Sequence, residues 1–549
     1  MSKKLLAVVL SVVLAFSVIS VPASAVDVSE IVPDVSTVIS GGGIEGFFYS
    51  FVENILNFVL KYLNMYFPGY EDKWESEEDY VSDNFLVGNE TFTSENGTGW
   101  RVGYAGASLL EGIEPLSGDY YLAGSIDVLG RTPSKVLDDQ RVRVYAISDG
   151  GAVTVQAVVD AFGLARGDVM EIRARMAEFA EEHNVQNINV SVLHQHSVID
   201  TLGMNVNLIK ALIVNPGNAA TDGVIEHMKE QKSEVFMENL FQKTVYCMKK
   251  AVMNMKDGDL YYGNASLCEG DDSSMWLIKD KRDPQAFDKN IHRLRFIPED
   301  GTAETWIVFG NAHCTMMGTT TDNLTADYPY YMERYIRQNS DTPVNLVYIL
   351  GSDLAITTQK DFLNLPEDAD RYTGMVAYGE ALGQMLMDIS NDEAVAPRFQ
   401  IKMQEVIVPV DNEILTLACR EDLISAVVVT ADDGSFKLVT EIGYAEFGDN
   451  IAMFILPGEF DPLLVYGGPE SGSEAWDGTE WTLPPFVDYT TGKDVFLVTG
   501  LCNDQGGYVI RDNEYHSLLS ENEEVNIVCK TGGTEYTYAM QSLIESTVA

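Results

Sequence analysis

From about residue 100 onward, apolar positions fall into two alternating rhythms. Short runs rich in Val, Ile and Leu, bounded by Gly, Asn, Asp or Pro, read as buried strands. Six stand out: Ala152–Val159, Ile188–Leu193, Thr305–Phe309, Val344–Leu350, Ile451–Leu456 and Val495–Thr499. Between the first two lies a helical pattern over Asp168–His183, with Val169, Ile172, Met176, Phe179 and Ala180 on one face. A second long helix is predicted over roughly Phe236–Met255. The strand–helix–strand order predicts a parallel pair joined by a right-handed crossover. The alternation as a whole predicts an α/β fold, a mixed sheet with flanking helices. Tyr466–Pro485, rich in Gly, Ser and Pro, is expected to be a loop insertion, and no internal repeat is present.

The first 95 residues follow other rules. Lys3 and Lys4 precede an uncharged apolar run, Leu5–Val21, and then Ala23-Ser24-Ala25. That order predicts a secretory signal peptide over residues 1–25 and an exported protein. Phe47, Phe48, Phe51, Ile55, Val59, Tyr62, Leu63 and Tyr66 recur at helical spacing until Pro68. This helix, 44–67, is expected to dock on the body, with contact to a membrane surface as the alternative. The acidic run 71–83 is expected to be a solvated linker. The organisation expected is therefore residues 1–25 as signal, 26–95 as helix and linker, and 96–549 as one large domain.

Composition adds exclusions. Hydrophobic residues make up 46% and charged residues 22% of the 549, which excludes a largely disordered or polytopic membrane chain. The 36 Lys and Arg against 83 Asp and Glu leave a net charge of -47. Such a surface repels phosphate backbones and excludes nucleic acid as a partner. It also disfavours strongly anionic substrates, unless a metal or a basic pocket inverts the field. Cys247, Cys268, Cys314, Cys419, Cys502 and Cys529 are scattered without a CxxC pair. They form neither a disulfide framework nor a zinc ribbon, and an oxidising compartment leaves room for one or two bridges whose pairing the sequence does not give.

Of seven histidines, three follow predicted strand ends. Leu193 leads into His194-Gln195-His196, and Phe309 leads through Gly310-Asn311-Ala312 to His313. The strand ending at Leu456 gives Pro457-Gly458-Glu459, and the one ending at Thr499 leads through Gly506-Gly507 to Tyr508. Ligands of α/β sheets collect outside the carboxyl ends of strands, and imidazole and carboxylate are ligands that zinc takes. A metal site at strand ends is the expectation. Each piece alone also fits a structural histidine or an ordinary turn, and the pattern does not name a reaction.

The order of local sequences does point to a family. Trp100–Ser108 (WRVGYAGAS) resembles an opening V-G-x-G-x-A-D strand, and Leu193–Ser197 (LHQHS) stands where the family has T-H-T-H-S. Ala312–Met316 (AHCTM) and Asp322–Pro329 (DNLTADYP) resemble H-x-T-S-M and N-x-L-I-S-x-D-Y-P. Leu456–Phe460 (LPGEF) matches P-(A/G)-E, and Gly500 through Asn503, Tyr508 and Val509 to Glu514-Tyr515 matches G-x-x-N-x-x-x-x-Y with its trailing E-Y. The chain from Trp100 to Tyr515 thus resembles the catalytic domain of neutral, non-lysosomal ceramidases. The resemblance implies one zinc ion held by His194, His313, Glu459 and Tyr508. It implies amide hydrolysis of an N-acyl substrate such as ceramide by an activated water, with His196 as acid/base or orienting group and Tyr508 at the oxyanion. Where the family carries a serine in N-x-G-(D/N)-x-S-P-N, this chain reads Gly351–Gln359 (GSDLAITTQ), and Thr357 occupies the serine's place by offset. Val198-Ile199-Asp200 replaces the family's G-P-G-G. The family's immunoglobulin-like C-terminal domain is expected to be absent. Two readings compete with the ceramidase-like amidohydrolase. One is a non-catalytic descendant that binds lipid or glycan; the other is a metal-dependent hydrolase of another amide or ester.

Overall fold

The computed structural model describes residues 74–82, 92–93, 97–124, 131–203, 232–270, 273–282, 286–359, 363, 365–366, 368–420, 422–468, 475, 477–515 and 527–548. The signal segment and the helix expected over 44–67 lie outside them. The larger sheet is made of β1 (Trp100–Ser108), β2 (Arg141–Ser148), β3 (Val153–Val159), β4 (Val185–Val192), β5 (Lys256–Ser266), β6 (Asn290–Pro298), β7 (Glu304–Gly310) and β8 (Val344–Leu350), with Glu393–Ala394 added beside β5. Their spatial order is β8-β7-β6-β5-β1-β2-β3-β4. Both edges are parallel pairs, β3 with β4 and β7 with β8, each joined through a helix: α1 (Arg166–Glu182) and α3 (Asp327–Asn339). The strands between are antiparallel. The fold is therefore α/β with a mixed sheet, and the predicted elements recur with ends shifted by one to three residues. Helix α2 (Glu234–Met253) follows β4, and α4 (Arg371–Asp388) lies along α3, where Gly379 approaches so closely that a Cβ would sit 2.6 Å from the Tyr328 carbonyl oxygen.

A smaller sheet contains β9 (Phe399–Pro409), β10 (Phe436–Phe447), β11 (Ile451–Ile455) and β12 (Val495–Thr499) in that spatial order. Its strands obey the two-residue period. Ile401, Met403, Ala445, Phe447, Met453 and Ile455 join the core of the larger sheet. Val408, Ile442, Tyr444 and Phe454 pack against Tyr536, Met540, Leu543 and Ile544 of the last helix, α5 (Gly532–Val548). Two segments of the expected linker also belong here. Phe92–Thr93 pairs with β9, and Ser76 bridges to Thr430 while Trp74 packs edge-on to Phe436 at 4.4 Å. This part of the acidic run is docked, because its aromatic ring and the Glu77–Lys437 ion pair give it partners.

Counting antiparallel steps from β3 to β7 would point their carboxyl ends in opposite directions. A twist of roughly 20–25° per strand accumulates over those five steps to about 100–125°, which turns the far edge back toward the near one. The segment after β12 then clips the two edges together. Gly500 N–H donates to Leu350 O at 2.8 Å, Asn503 N–H to Val190 O at 2.7 Å, and Leu501 O accepts from Val192 N–H at 3.2 Å. Among the described residues all six cysteines are free, and no helix is long and apolar enough to cross a membrane.

Candidate metal centre

His194 lies two residues beyond β4 with φ +52°, a left-handed turn that swings its ring under Phe162, stacked at 4.4 Å. Its Nδ1 meets Phe162 O at 2.8 Å. His196 packs edge-on to both rings, and its Nδ1 meets Gly124 O at 2.8 Å. His313, three residues beyond β7, uses both its backbone N–H (3.1 Å) and Nδ1 (3.0 Å) on Ile356 O. A carbonyl only accepts, so each Nδ1 carries a proton and each Nε2 is the ring atom turned inward. Ring nitrogens of the three histidines lie within 4.8 Å of one another.

Glu459 arrives from the smaller sheet. Glu459–Phe460 forms a short parallel pair with Tyr508–Val509, Glu459 in register with Tyr508. Gly458 permits this approach, since a Cβ there would lie 2.4 Å from Gly507 O. The Glu459 carboxylate sits between two rings, Oε1 3.2 Å from His194 Nε2 and Oε2 2.9 Å from His313 Nε2. Asp353, wholly buried at the end of β8, places Oδ2 3.6 Å from His313 Nε2.

Environment divides the three imidazoles. Burial, reinforced by the neighbouring rings, holds His194 well below its ordinary pKa, and burial together with His313 pushes His196 down to about 3. Burial opposes protonation of His313 too, but Asp353 and Glu459 outweigh it and raise that ring to about 9. At neutral pH two rings are unprotonated, and the third shares a proton with Glu459.

The donor set fits a zinc ion. Ligands about 2.0–2.2 Å from a tetrahedral centre stand roughly 3.3–3.6 Å apart, and the separations of 2.9 and 3.2 Å fall just short of that spacing, so a small opening of the pair admits the ion. His196 Nε2 is buried with no hydrogen-bond partner, a further nitrogen beside the same space.

Of the residues expected from sequence, His194, His196, His313 and Glu459 are brought together. Tyr508 stands beside Glu459, and parallel register sets the two side chains on the same face of the ribbon. Thr357 lies in a short strand, Ile356–Thr358, opposite Lys279 and one residue past the carbonyl that fixes His313. Asp353, Phe162 and Gly124 were not anticipated. Asp353 carries the same signal as the histidines, a metal-ligating side chain just past an apolar strand.

No protein-family model matches this chain, and no curated protein is similar to it in sequence. Solved structures are similar to it in fold. A neutral ceramidase from Pseudomonas aeruginosa superposes with a TM-score of 0.58 at 13% identity, covering 82% of this chain and 75% of that one. A structure described as a ceramidase complexed with C2 gives 0.56 at 12% identity, covering 81% and 75%. The chain has a ceramidase-like fold.

Proposed function

We propose that this chain is an exported, zinc-dependent amidohydrolase that cleaves the amide bond of an N-acyl substrate, ceramide (N-acylsphingosine) being the first compound to test. One observation carries the reading: imidazoles pinned through Nδ1 to backbone carbonyls converge through Nε2 on the Glu459 carboxylate. His194, His313, Glu459 and Tyr508 are the residues assigned to the metal. Bound zinc supplies Lewis acidity toward a carbonyl and brings the pKa of a water toward neutrality. His196 Nε2, buried and without a hydrogen-bond partner, is the group that orients the attacking water or exchanges a proton with it and with the leaving amine nitrogen. The Tyr508 hydroxyl donates to the carbonyl oxygen as negative charge develops there. Thr357, next to the carbonyl that holds His313, supplies the substrate-side hydroxyl. The wholly buried surroundings of His194 exclude bulk water from its side of the centre.

One observation favours a second reading, a lipid- or glycan-binding descendant without catalysis. The residues in place of the family's Gly-rich loop, Val198, Ile199 and Asp200, are all buried, so this wall of the site is packed solid. Elemental analysis of the purified full chain and a screen of N-acyl lipids, peptides and esters separate the readings. About one zinc per chain, lost in His313→Ala, with release of a fatty acid from an N-acyl lipid, is the expected result. No zinc after zinc has been supplied would overturn the hydrolase. Zinc without turnover of any N-acyl compound or ester would leave the binding protein. Export is checked by sequencing the secreted chain, which should begin just after Ala25.

A further inference from the structure

Asp353 follows β8 as His194 follows β4 and His313 follows β7. It is wholly buried, and with His313 and Glu459 it forms a group whose donor atoms lie within 4.8 Å of one another. We propose that Asp353 is a further direct protein donor to the metal assigned to His194, His313, Glu459 and Tyr508, so that two carboxylates and two histidines stand beside the phenol. The proposal rests on the reading that this site holds a metal.

Three features support it. The first is spacing. His313 Nε2 stands 2.9 Å from Glu459 Oε2 and 3.6 Å from Asp353 Oδ2, and donors so spaced at about 2.1 Å from a common centre subtend roughly 90° and 120°; His194 Nε2, 3.2 Å from the other Glu459 oxygen, subtends roughly 100° with it. Those angles belong to one four- or five-coordinate ion, and the 3.6 Å gap from His313 to Asp353 is no outlier among them. The second is charge. With both imidazoles neutral, Glu459 cancels half of a divalent ion's charge, which would leave a positive charge in a buried pocket. Asp353 cancels the other half. The third is rigidity. Ser352 Oγ donates to Phe460 O at 2.7 Å, which ties the residue before Asp353 to the residue after Glu459. Ile356 N–H donates to Asp353 O at 2.8 Å across a turn in which Ala355 has φ +63°. The two carboxylates are thus fixed to each other through backbone, as ligands of one ion must be.

A second carboxylate also changes metal preference. It raises the oxygen share of the donor set, which favours harder ions such as Mn²⁺ and Co²⁺ relative to Zn²⁺, compared with a site of two imidazoles and one carboxylate.

The test uses the full chain loaded with Co²⁺, with Asp353→Asn beside the unaltered protein. Affinity is read by competition with a chromophoric chelator, and coordination number by the visible d–d bands. Asp353→Asn should weaken Co²⁺ and Zn²⁺ binding by more than about tenfold, and its Co²⁺ bands should intensify as one donor is lost. Unchanged bands with affinity within twofold would overturn the proposal. If the variant does not fold, a crystal structure of the metal-loaded unaltered chain decides. An Asp353 oxygen within about 2.3 Å of the ion supports the proposal, and one beyond about 3 Å overturns it. Metal bound without Asp353 sinks only this proposal, whereas no metal bound at all sinks the amidohydrolase with it.

Discussion

Replacing Glu441 by Gln should cost this protein about 3–5 kcal/mol, because it breaks the ionic joint between the two sheets. Glu441 lies on β10 of the smaller sheet, on the face away from α5, and is fully buried. Its Oε2 accepts from Arg166 Nη1 at 2.7 Å and from Arg173 Nη1 at 3.0 Å, and its Oε1 accepts from Arg173 Nη2 at 2.5 Å. Both arginines lie on α1, the crossover of the β3–β4 edge, and both are nearly inaccessible. Arg166 has a second carboxylate in Glu405, but the other acceptors of Arg173 are the Ile188 carbonyl and the Met170 sulfur. Removing the Glu441 charge therefore leaves Arg173 as an uncompensated buried cation, the situation that costs about 3–5 kcal/mol. Glu441→Gln combined with Arg173→Met restores the balance of charge and should recover most of the loss. Urea unfolding of the three proteins at neutral pH reads both effects. Burial pushes the Glu441 carboxyl up, but Arg173 and Arg166 pull it further down, so its folded pKa lies below 4.5. Its contribution is complete above that value and is lost as pH falls through the folded pKa. Acidification below about pH 4.5 should therefore erode the unaltered protein faster than Glu441→Gln. A single-variant loss under about 1 kcal/mol, or a double variant no better than the sum of its parts, would refute the reasoning.

Gly124→Ala should impair the centre through His196. An added Cβ would lie 2.4 Å from both Cα and Cβ of His196, at a backbone φ of +88°. His196 must shift by about 1 Å, so turnover of any substrate should fall roughly a hundredfold while zinc content stays near that of the unaltered chain; unchanged turnover would refute this. Asp138 is pushed up to about 7 by burial, which outweighs its hydrogen bonds from Thr325 and Ala326. The folded state then holds a proton that the unfolded chain loses near pH 4, so this group destabilises the fold increasingly as pH rises from about 4 to about 7, by at most about 4 kcal/mol. Asp138→Asn should flatten that part of the stability–pH curve, and thermal unfolding across the window that shows the same slope in both proteins would rule it out.

The strands that carry the centre were legible because each is short, rich in Val, Ile, Leu or Phe, free of internal charge and mostly buried on both faces. β2, β5 and β6 were not, because they mix charge into the pattern. Arg143 on β2 is buried only by virtue of Glu333 on α3 and Asp160 beyond β3, partners that exist once the sheet is built. Helix α5 was missed for a different reason. Tyr536, Met540, Leu543 and Ile544 keep helical spacing, but Gly532, Gly533 and several threonines dilute it. What no local pattern contains is the meeting of the edges. His194 follows the edge strand β4 and His313 follows β7, six places away in the order, and the clip at residues 500–503 ties the two edges together.

That meeting has a backbone signature. Of the non-glycine residues with left-handed φ, His194, Ala355, Leu501 and Asn503 all lie where the strand ends converge. Each such conformation costs on the order of 1–2 kcal/mol for an L-residue, so each persists only where its surroundings hold it. His194 is held by the Phe162 carbonyl and ring. Asn503 is held by two bonds to Val190, donating from its backbone N–H and accepting at Oδ1 from the Val190 N–H, and by a third from its amide to Asn189. Strain concentrated at one place, and offset by hydrogen bonds that reach across both sheets, is what a site whose donors must already be in position before a ligand arrives requires. A fold that needed these loops merely as connections would place glycine at such turns, as this chain does at Gly112, Gly118, Gly301 and Gly434, where a side chain would meet nothing.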